Sequence, residues 1–107
     1  MNVFSGVIYH VDATIRGKFA CQDDVMKLDC RSSKGLIIYS AEYSRKQTSV
    51  CSRGNNAEFC DPVDKTSLVR KLCEGKIKCK VFVNKSTMGD KCPTVSKYLN
   101  VMYECSK

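Results

Sequence analysis

The sequence predicts a small α+β domain: antiparallel, sandwich-like strands, one main helix over about residues 64–74, and long loops pinned by disulfides. Three observations carry that expectation. The chain is 107 residues long and holds eight cysteines. Segments 76–83 and 97–105 alternate in side-chain character with period two, the mark of a half-buried strand. Only one segment combines helically spaced apolar residues with a capping aspartate before it and a glycine after it.

The elements follow in chain order. Residues 1–19 read as an N-terminal leader or an extra strand. Within them Val3 to Val11 is mostly apolar but is broken by Ser5, Gly6 and His10. Val25-Met26-Lys27-Leu28 and Gly35 to Tyr43 are strand candidates, the second for its run Leu36-Ile37-Ile38-Tyr39. Ser52 to Asn56 and Thr87 to Pro93 read as loops. Asp61 or Asp64 can cap the helix, and Leu68, Val69, Leu72 and Cys73 then share its apolar face. Gly75 is placed to stop it, and Arg70 and Lys71 suit the negative end of its dipole. In 76–83, Ile77, Cys79, Val81 and Val83 fall on one face and Lys76, Lys78, Lys80 and Phe82 on the other. In 97–105, Leu99, Val101, Tyr103 and Cys105 share the inward face.

The cysteines set the compartment. They are separated by 8, 20, 8, 12, 5, 12 and 12 residues, with no close Cys pair, and His10, the one histidine, precedes them all. Zinc sites use closely spaced Cys or His pairs, so four disulfides are the better reading and no metal or cofactor is expected. Sequence arithmetic leaves 105 pairings open. An oxidising compartment follows: a secreted protein or the ectodomain of a cell-surface receptor. The N-terminus lacks a basic region followed by an apolar run and a small-residue cleavage site. The expectation is therefore an excised domain whose parent chain supplies any membrane anchor.

The net charge is +7. Between Lys65 and Lys97 lie nine basic residues and only two acidic ones, Glu74 and Asp90, so this segment holds the whole surplus. A basic extracellular face suits sulfated glycosaminoglycans such as heparan sulfate, or acidic proteins, better than nucleic acid. The candidate polyanion-binding residues are Lys76, Lys78, Lys80, Lys85 and Lys91.

Enzymatic chemistry finds little support. Triad hydrolysis needs a histidine beside its nucleophile, and His10 sits in the least anchored part of the chain. Phosphate-binding glycine loops and EF-hand spacing are absent, and the adjacent acids Asp23-Asp24 are too little for a calcium site. The chain reads as a binding module. Asn84-Lys85-Ser86 fits the N-glycosylation acceptor pattern, with Asn84 the residue modified.

Ordered fragments resemble one family. Ala20-Cys21-Gln22 is similar to an opening Ala-Cys-Glu. Ser40-Ala41-Glu42-Tyr43-Ser44-Arg45 resembles Ser-Ala-x-Tyr-Gly-Arg. Leu72-Cys73-Glu74-Gly75-Lys76 with Cys79 resembles a Cys-x5-Cys turn after a helix, and Gly89-Asp90-Lys91-Cys92 resembles Gly-Asp-Pro-Cys. Lys97-Tyr98-Leu99-Asn100-Val101-Met102-Tyr103-Glu104-Cys105 follows Lys-Tyr-Leu-x-Val-x-Tyr-x-Cys. Together, over residues 20–105, they resemble the galactose/rhamnose-binding lectin domain of egg lectins, latrophilins and enhancer-of-ventral-axon-migration receptors.

The resemblance implies the pairing Cys21–Cys51, Cys30–Cys105, Cys60–Cys92 and Cys73–Cys79. It also implies a sugar site at Gln22, Tyr43, Asp90, Thr94 and Lys97, with Tyr43 as an apolar wall and the others around it. Tyr43, Asp90 and Lys97 match the family pattern. Gln22 replaces an acid and Thr94 a glycine, while Lys91 replaces a proline and Ser44 another glycine. A carboxylate acceptor is worth about 1.5–3 kcal/mol against about 0.5–1.5 for a neutral amide, so the substitutions weaken monosaccharide recognition. The implied function is the recognition module of a cell-surface adhesion or axon-guidance receptor, with weakened sugar binding and an extracellular protein partner. The alternatives are a secreted rhamnose/galactose-binding lectin and a heparan-sulfate-binding module.

Overall fold

The computed structural model describes residues 15–31, 34–46, 50–51 and 59–106. The apolar stretch Val3 to Val11 and the expected loop Ser52 to Asn56 lie outside these residues. The strands are β1 (Arg16–Cys21), β2 (Val25–Asp29), β3 (Gly35–Arg45), β4 (Cys60–Asp64), β5 (Lys78–Phe82) and β6 (Tyr98–Ser106). Two helices intervene, α1 (Thr66–Cys73) after β4 and the short α2 (Lys85–Met88) after β5. One antiparallel sheet runs β1-β6-β3-β4, and β2 with β5 forms a separate two-stranded ribbon. The class is the small α+β domain expected, with four disulfides.

β2, β5, β6 and α1 bury the apolar face that their spacing predicts. β2 turns Met26 and Leu28 inward, while Val25, Lys27 and Asp29 stay exposed. β5 buries Val81 and exposes Lys78, Lys80 and Phe82. Leu99, Val101 and Tyr103 of β6 join Val69 and Cys73 of α1 in the same core cluster. Leu68 and Leu72 pack against that core from the edge of the helix. Ile77 departs from the pattern: it precedes the first paired residue of β5 and is exposed. Its carbonyl accepts the Cys30 N–H at 2.7 Å.

β3 does not alternate cleanly, and the reason is a bulge. Its register against β6 slips between Ile38 and Ser40. Leu36 and Ile38 point inward before the slip, Ala41 and Tyr43 after it. Tyr39 is the extra residue; it remains exposed and donates its hydroxyl proton to Glu104. Strict alternation from Leu36 would have put Ser40 in the core.

The helix begins later than expected. Its N-cap is Lys65, which makes no side-chain capping bond. Asp64 does the nearby work: its carboxylate accepts the Thr66 N–H at 2.9 Å. Hydrogen bonding to Thr66 holds the Asp64 carboxyl below its usual range. Asp61 lies in β4 instead. Gly75 follows the C-cap Glu74 with φ 80°, the left-handed conformation that suits a residue without Cβ. Arg70 reaches past its own helix, donating from Nε to the Ile38 carbonyl at 3.0 Å. It thereby fastens α1 to β3.

Of the two remaining strands, β4 does not read as one in the sequence, and β1 falls mostly within residues 1–19, which read as a leader or an extra strand. β4 contains Pro62 between two aspartates, and β1 is largely exposed. Both are edge strands, where proline and charge are tolerated because one side of the strand needs no ladder partner. β1 pairs with β6 from Arg16↔Tyr103 to Cys21↔Tyr98, so the sheet takes in residues 16–19 ahead of the resemblance at Ala20.

Cys30–Cys105 joins the end of β2 to the end of β6 and so ties the ribbon to the large sheet. Cys73–Cys79 staples α1 to β5, Cys60–Cys92 ties β4 to the loop before β6, and Cys21–Cys51 fixes the end of β1. These are the pairs that the resemblance implies. One further contact is tight. A Cβ on Gly35 would lie 2.6 Å from the Gly75 carbonyl oxygen, a backbone atom. Gly35→Ala is expected to cost about 1–3 kcal/mol through this overlap, read as a lowered urea midpoint at unchanged slope.

Candidate sugar-binding site

The ends of β1, β3 and β6 converge on the loop 89–97. Beyond the last β1–β6 pair, Gln22 and Lys97 extend the ladder by one more rung. The Gln22 N–H donates to the Lys97 carbonyl at 2.8 Å, and the Lys97 N–H donates to Gln22 Oε1 at 3.1 Å. Gln22 is thus a clamp on the Lys97 backbone. Its acceptor oxygen is occupied, and its side-chain N–H groups are what it can turn to a ligand.

Lys97 is not a solvated strand-start residue; it is only 2% exposed. Its ammonium donates to the Cys92 carbonyl at 2.7 Å and to the Val95 carbonyl at 2.8 Å. The loop is bent to offer those oxygens. Cys92 adopts φ 55°, and the Val95 N–H closes a turn onto the Cys92 carbonyl at 3.0 Å. The ammonium lies 5.7 Å from the centroid of the Tyr43 ring, within cation–π range. Burial lowers the Lys97 pKa, and the negative charge of Asp90 partly restores it.

Tyr43 packs beside the Lys97 ammonium. It is 2% exposed and belongs to the main core cluster. Burial, followed by the charges of Asp23 and Asp90, pushes its hydroxyl pKa up to about 12. Asp90 also lies 3.7 Å from Lys85 Nζ, and both groups are largely solvated. Thr94 is exposed in the turn between Cys92 and Val95. The structure therefore gathers Gln22, Tyr43, Asp90 and Lys97 through direct bonds, ring contact or mutual charge, and leaves Thr94 on the rim. Ser44, which replaces a glycine of the family pattern, is buried within β3, and the strand runs on to Arg45.

Two residues escaped the sequence reading. Asp23 sits at φ 75° directly after Gln22, its N–H on the Val83 carbonyl at 2.6 Å, and its charge reaches Tyr43. Its adjacency to Gln22 was the available signal. Arg45 is fully buried and donates from one guanidinium nitrogen to the Val50 and Cys51 carbonyls at 2.6 and 2.7 Å. It anchors the loop carrying the Cys21–Cys51 disulfide. The resemblance quotes Arg45, but nothing in the sequence separates a structural arginine from a ligand-binding one.

The five candidate polyanion-binding lysines do not form one group. Lys76, Lys78 and Lys80 are exposed on or beside β5. Lys85 and Lys91 belong to the segment around Asp90, and Lys85 pairs with it. Asn84, the glycosylation candidate, is the N-cap of α2, where its Oδ1 accepts the Thr87 N–H at 3.2 Å. That bond leaves the amide nitrogen, the atom a glycan would occupy, outside the cap.

The Tyr43 hydroxyl gives a pH signature. An unfolded tyrosine ionises near 10, so its folded value near 12 makes the folded state hold the proton longer. The resulting stability is present below pH 10 and lost as pH rises toward 12. Lys97 acts oppositely: its lowered pKa adds stability as pH rises toward 10.5. Denaturant melts at pH 9 to 12 should show a steep loss that Tyr43→Phe removes. An equally steep loss in that variant would clear Tyr43 of responsibility.

Residues 28–105 match the sequence profile of the D-galactoside/L-rhamnose binding SUEL lectin domain. The chain is 37% identical over 91 residues to the D-galactoside-specific lectin of Heliocidaris crassispina, covering 80% of this chain and 86% of that one. It is 34% identical over 90 residues to the L-rhamnose-binding lectin ELEL-1 of Echinometra lucunter, covering 81% and 87%. It is also 40% identical over 99 residues to Protein eva-1 homolog C of Mus musculus, covering 85% of this chain but only 22% of that protein. The lectin family is non-catalytic, and its disulfide-rich domain is consistent with an extracellular location. A profile match over most of the chain, and a sea urchin lectin matched over most of its own length, establish that this chain belongs to the SUEL lectin domain family.

Proposed function

We propose that the domain recognises galactose- or rhamnose-type sugars, with weakened affinity, as the ligand-binding module of an extracellular adhesion or guidance receptor. The observation that supports this most is the fixed Lys97 ammonium. Two of its three N–H donors are held by the Cys92 and Val95 carbonyls. The third remains for a ligand oxygen, with the Tyr43 ring and the Asp90 charge beside it. A sugar presents adjacent hydroxyls that both accept and donate, and apolar C–H faces that suit an aromatic wall. Lys97 supplies the donor, Asp90 the acceptor and Tyr43 the wall.

The affinity is low for a stated reason. Gln22 gives its oxygen to the Lys97 backbone, whereas a carboxylate at that position has a second oxygen for the ligand. Losing one charge-assisted bond of about 1.4 kcal/mol weakens binding about tenfold. A receptor role tolerates this when an extracellular protein partner supplies further contacts, and the match to a protein more than four times the length of this domain supports that setting.

Amide NMR titration with L-rhamnose and D-galactose tests the pocket. Saturable shifts at Gln22, Tyr43, Asp90 and Lys97 below tens of millimolar are expected. An unchanged spectrum at that concentration would remove the sugar and leave the protein partner as the ligand to seek.

A further inference from the structure

We propose that Asp23 is a further ligand-contacting residue of the Lys97 pocket, a charged acceptor that selects neutral sugars over uronic and sialic acids. The inference deepens the sugar reading above and rests on it. Gln22 and Lys97 close the last rung beyond the β1–β6 ladder through two hydrogen bonds. Asp23 is the next residue along the chain, and it is exposed.

Its backbone adopts a conformation that its own side chain does not explain. The Asp24 N–H donates to the Cys21 carbonyl at 3.0 Å and closes a tight turn over residues 21–24. Asp23 is the third residue of that turn, at φ 75°. A turn with positive φ at this position favours glycine. Aspartate visits the left-handed region when its short side chain bonds locally. Among the described residues the Asp23 carboxylate makes no such bond and no ion pair. Strain of this kind persists only where the surroundings impose it, and it gathers at ligand sites. Here the surroundings do impose it. The Asp23 N–H donates to the Val83 carbonyl at 2.6 Å, and the Val83 N–H donates to the Asp24 carbonyl at 3.0 Å. The turn is thus bonded to the residue that follows β5.

The other acceptors around the pocket are already engaged. Gln22 Oε1 holds the Lys97 N–H, and Asp90 faces Lys85 Nζ at 3.7 Å. Asp23 faces the same pocket. After burial, its charge is the largest influence on the Tyr43 hydroxyl, ahead of that of Asp90. A carboxylate fixed in place by its backbone is a preorganised acceptor, because little freedom remains to be lost on binding. Sugar hydroxyls donate to it, and hydrogen bonds to an ionised acceptor are about twice as strong as neutral ones. The pocket thereby regains the charged acceptor that Gln22 lacks. The same charge sets the class of ligand. A sugar carrying its own carboxylate would meet both Asp23 and Asp90 beside Tyr43, and like charges brought together select against it. Neutral hexoses and 6-deoxyhexoses meet no such repulsion.

Amide NMR titrations of the parent domain and three variants test this. Asp23→Asn keeps the shape and the tolerance of positive φ but gives up the charge, and should weaken D-galactose and L-rhamnose binding about three- to tenfold. Asp23→Gly should weaken it at least as much, while its melting temperature stays level or rises because glycine suits φ 75°. Asp29→Asn makes an equal charge change at the far end of β2 and should alter affinity less than about twofold. The parent should bind D-galactose more tightly than D-galacturonate, and Asp23→Asn should narrow that gap. A readout without sugar is the Tyr43 ring followed by NMR through its titration, which should shift to lower pH in Asp23→Asn. Unchanged sugar affinity in Asp23→Asn, or an equal loss in Asp29→Asn, would overturn the proposal and leave the Lys97 pocket standing. So would an unmoved Tyr43 titration, because the carboxylate would then not face the pocket. A parent domain without saturable shifts would overturn the sugar reading itself, and this inference with it.

Discussion

Replacing Cys30 and Cys105 together by alanine is expected to be the most damaging of the four disulfide deletions. The bridge spans 75 residues, against 6 for Cys73–Cys79, 30 for Cys21–Cys51 and 32 for Cys60–Cys92. In the chain-entropy treatment the longest loop is worth about 4–5 kcal/mol and the shortest about 2. The topology adds to this ranking. Cys30–Cys105 joins the ribbon to the large sheet, and Cys30 is buried in the core between them. Cys73–Cys79 only restrains a helix that is already held by Arg70 and by the Val69 contact. A stability of about 5–15 kcal/mol is typical of such domains, so loss of Cys30–Cys105 leaves little or no folded protein at 37 °C. Urea melts of the paired alanine variants measure the order directly. A Cys73–Cys79 deletion costing as much as the Cys30–Cys105 deletion would contradict it.

The fold was legible where one face of an element is buried and the other wet. β2, β5, β6 and the apolar face of α1 all meet that condition; periodicity carried β5, β6 and α1, and β2 was a strand candidate. The failures share a cause. β1 and β4 are edge strands held mainly by backbone pairing, so their side chains carry no period. Pro62 in β4 reads as a strand breaker, and only the strand's edge position makes it harmless. The β3 bulge at Tyr39 shifts the period by one residue, a change that only the partner strand reveals. The residue stretch 87–93 read as loop contains the end of α2, whose capping box pairs Asn84 with Thr87. The glycosylation pattern at Asn84 masked its capping role.

The candidate site was legible by resemblance and not by pattern. Nothing in composition or spacing brings residues 22, 43, 90 and 97 together; the fold does so by ending three strands at one loop. The resemblance named the positions but not their burial. Tyr43 was expected as an apolar wall and Lys97 as one of the groups around it. In the structure both side chains are buried, and the Lys97 ammonium lies 5.7 Å from the Tyr43 ring centroid. The field of Asp23 escaped because two adjacent acids by themselves assign no role, and the left-handed backbone that aims the Asp23 N–H at Val83 is not written in the sequence.

Burial changes how Lys97 must be tested. From sequence alone, Lys97→Ala would abolish sugar binding and leave the fold intact. In the structure that variant removes the ammonium beside Tyr43 and strips the Val95 carbonyl of its lysine donor, while the Cys92 carbonyl keeps only the Val95 N–H. A buried acceptor left unpaired costs about 1–3 kcal/mol, and the lost packing adds to it. Lys97→Ala therefore confounds binding with stability. Lys97→Met keeps the length and apolar stem while removing every N–H donor, and Lys97→Arg keeps donors but cannot place a planar fork where a compact ammonium fits. Both should lose rhamnose and galactose shifts entirely, while Met costs less than Ala in urea melts. Gln22→Glu supplies the opposite sign. It restores a second acceptor oxygen beside Lys97 and should tighten sugar binding by about tenfold. Loss in Lys97→Met together with gain in Gln22→Glu would locate the ligand between these two side chains. Sugar binding that survives Lys97→Met in a folded domain would place the ligand elsewhere, whatever the effect at Gln22.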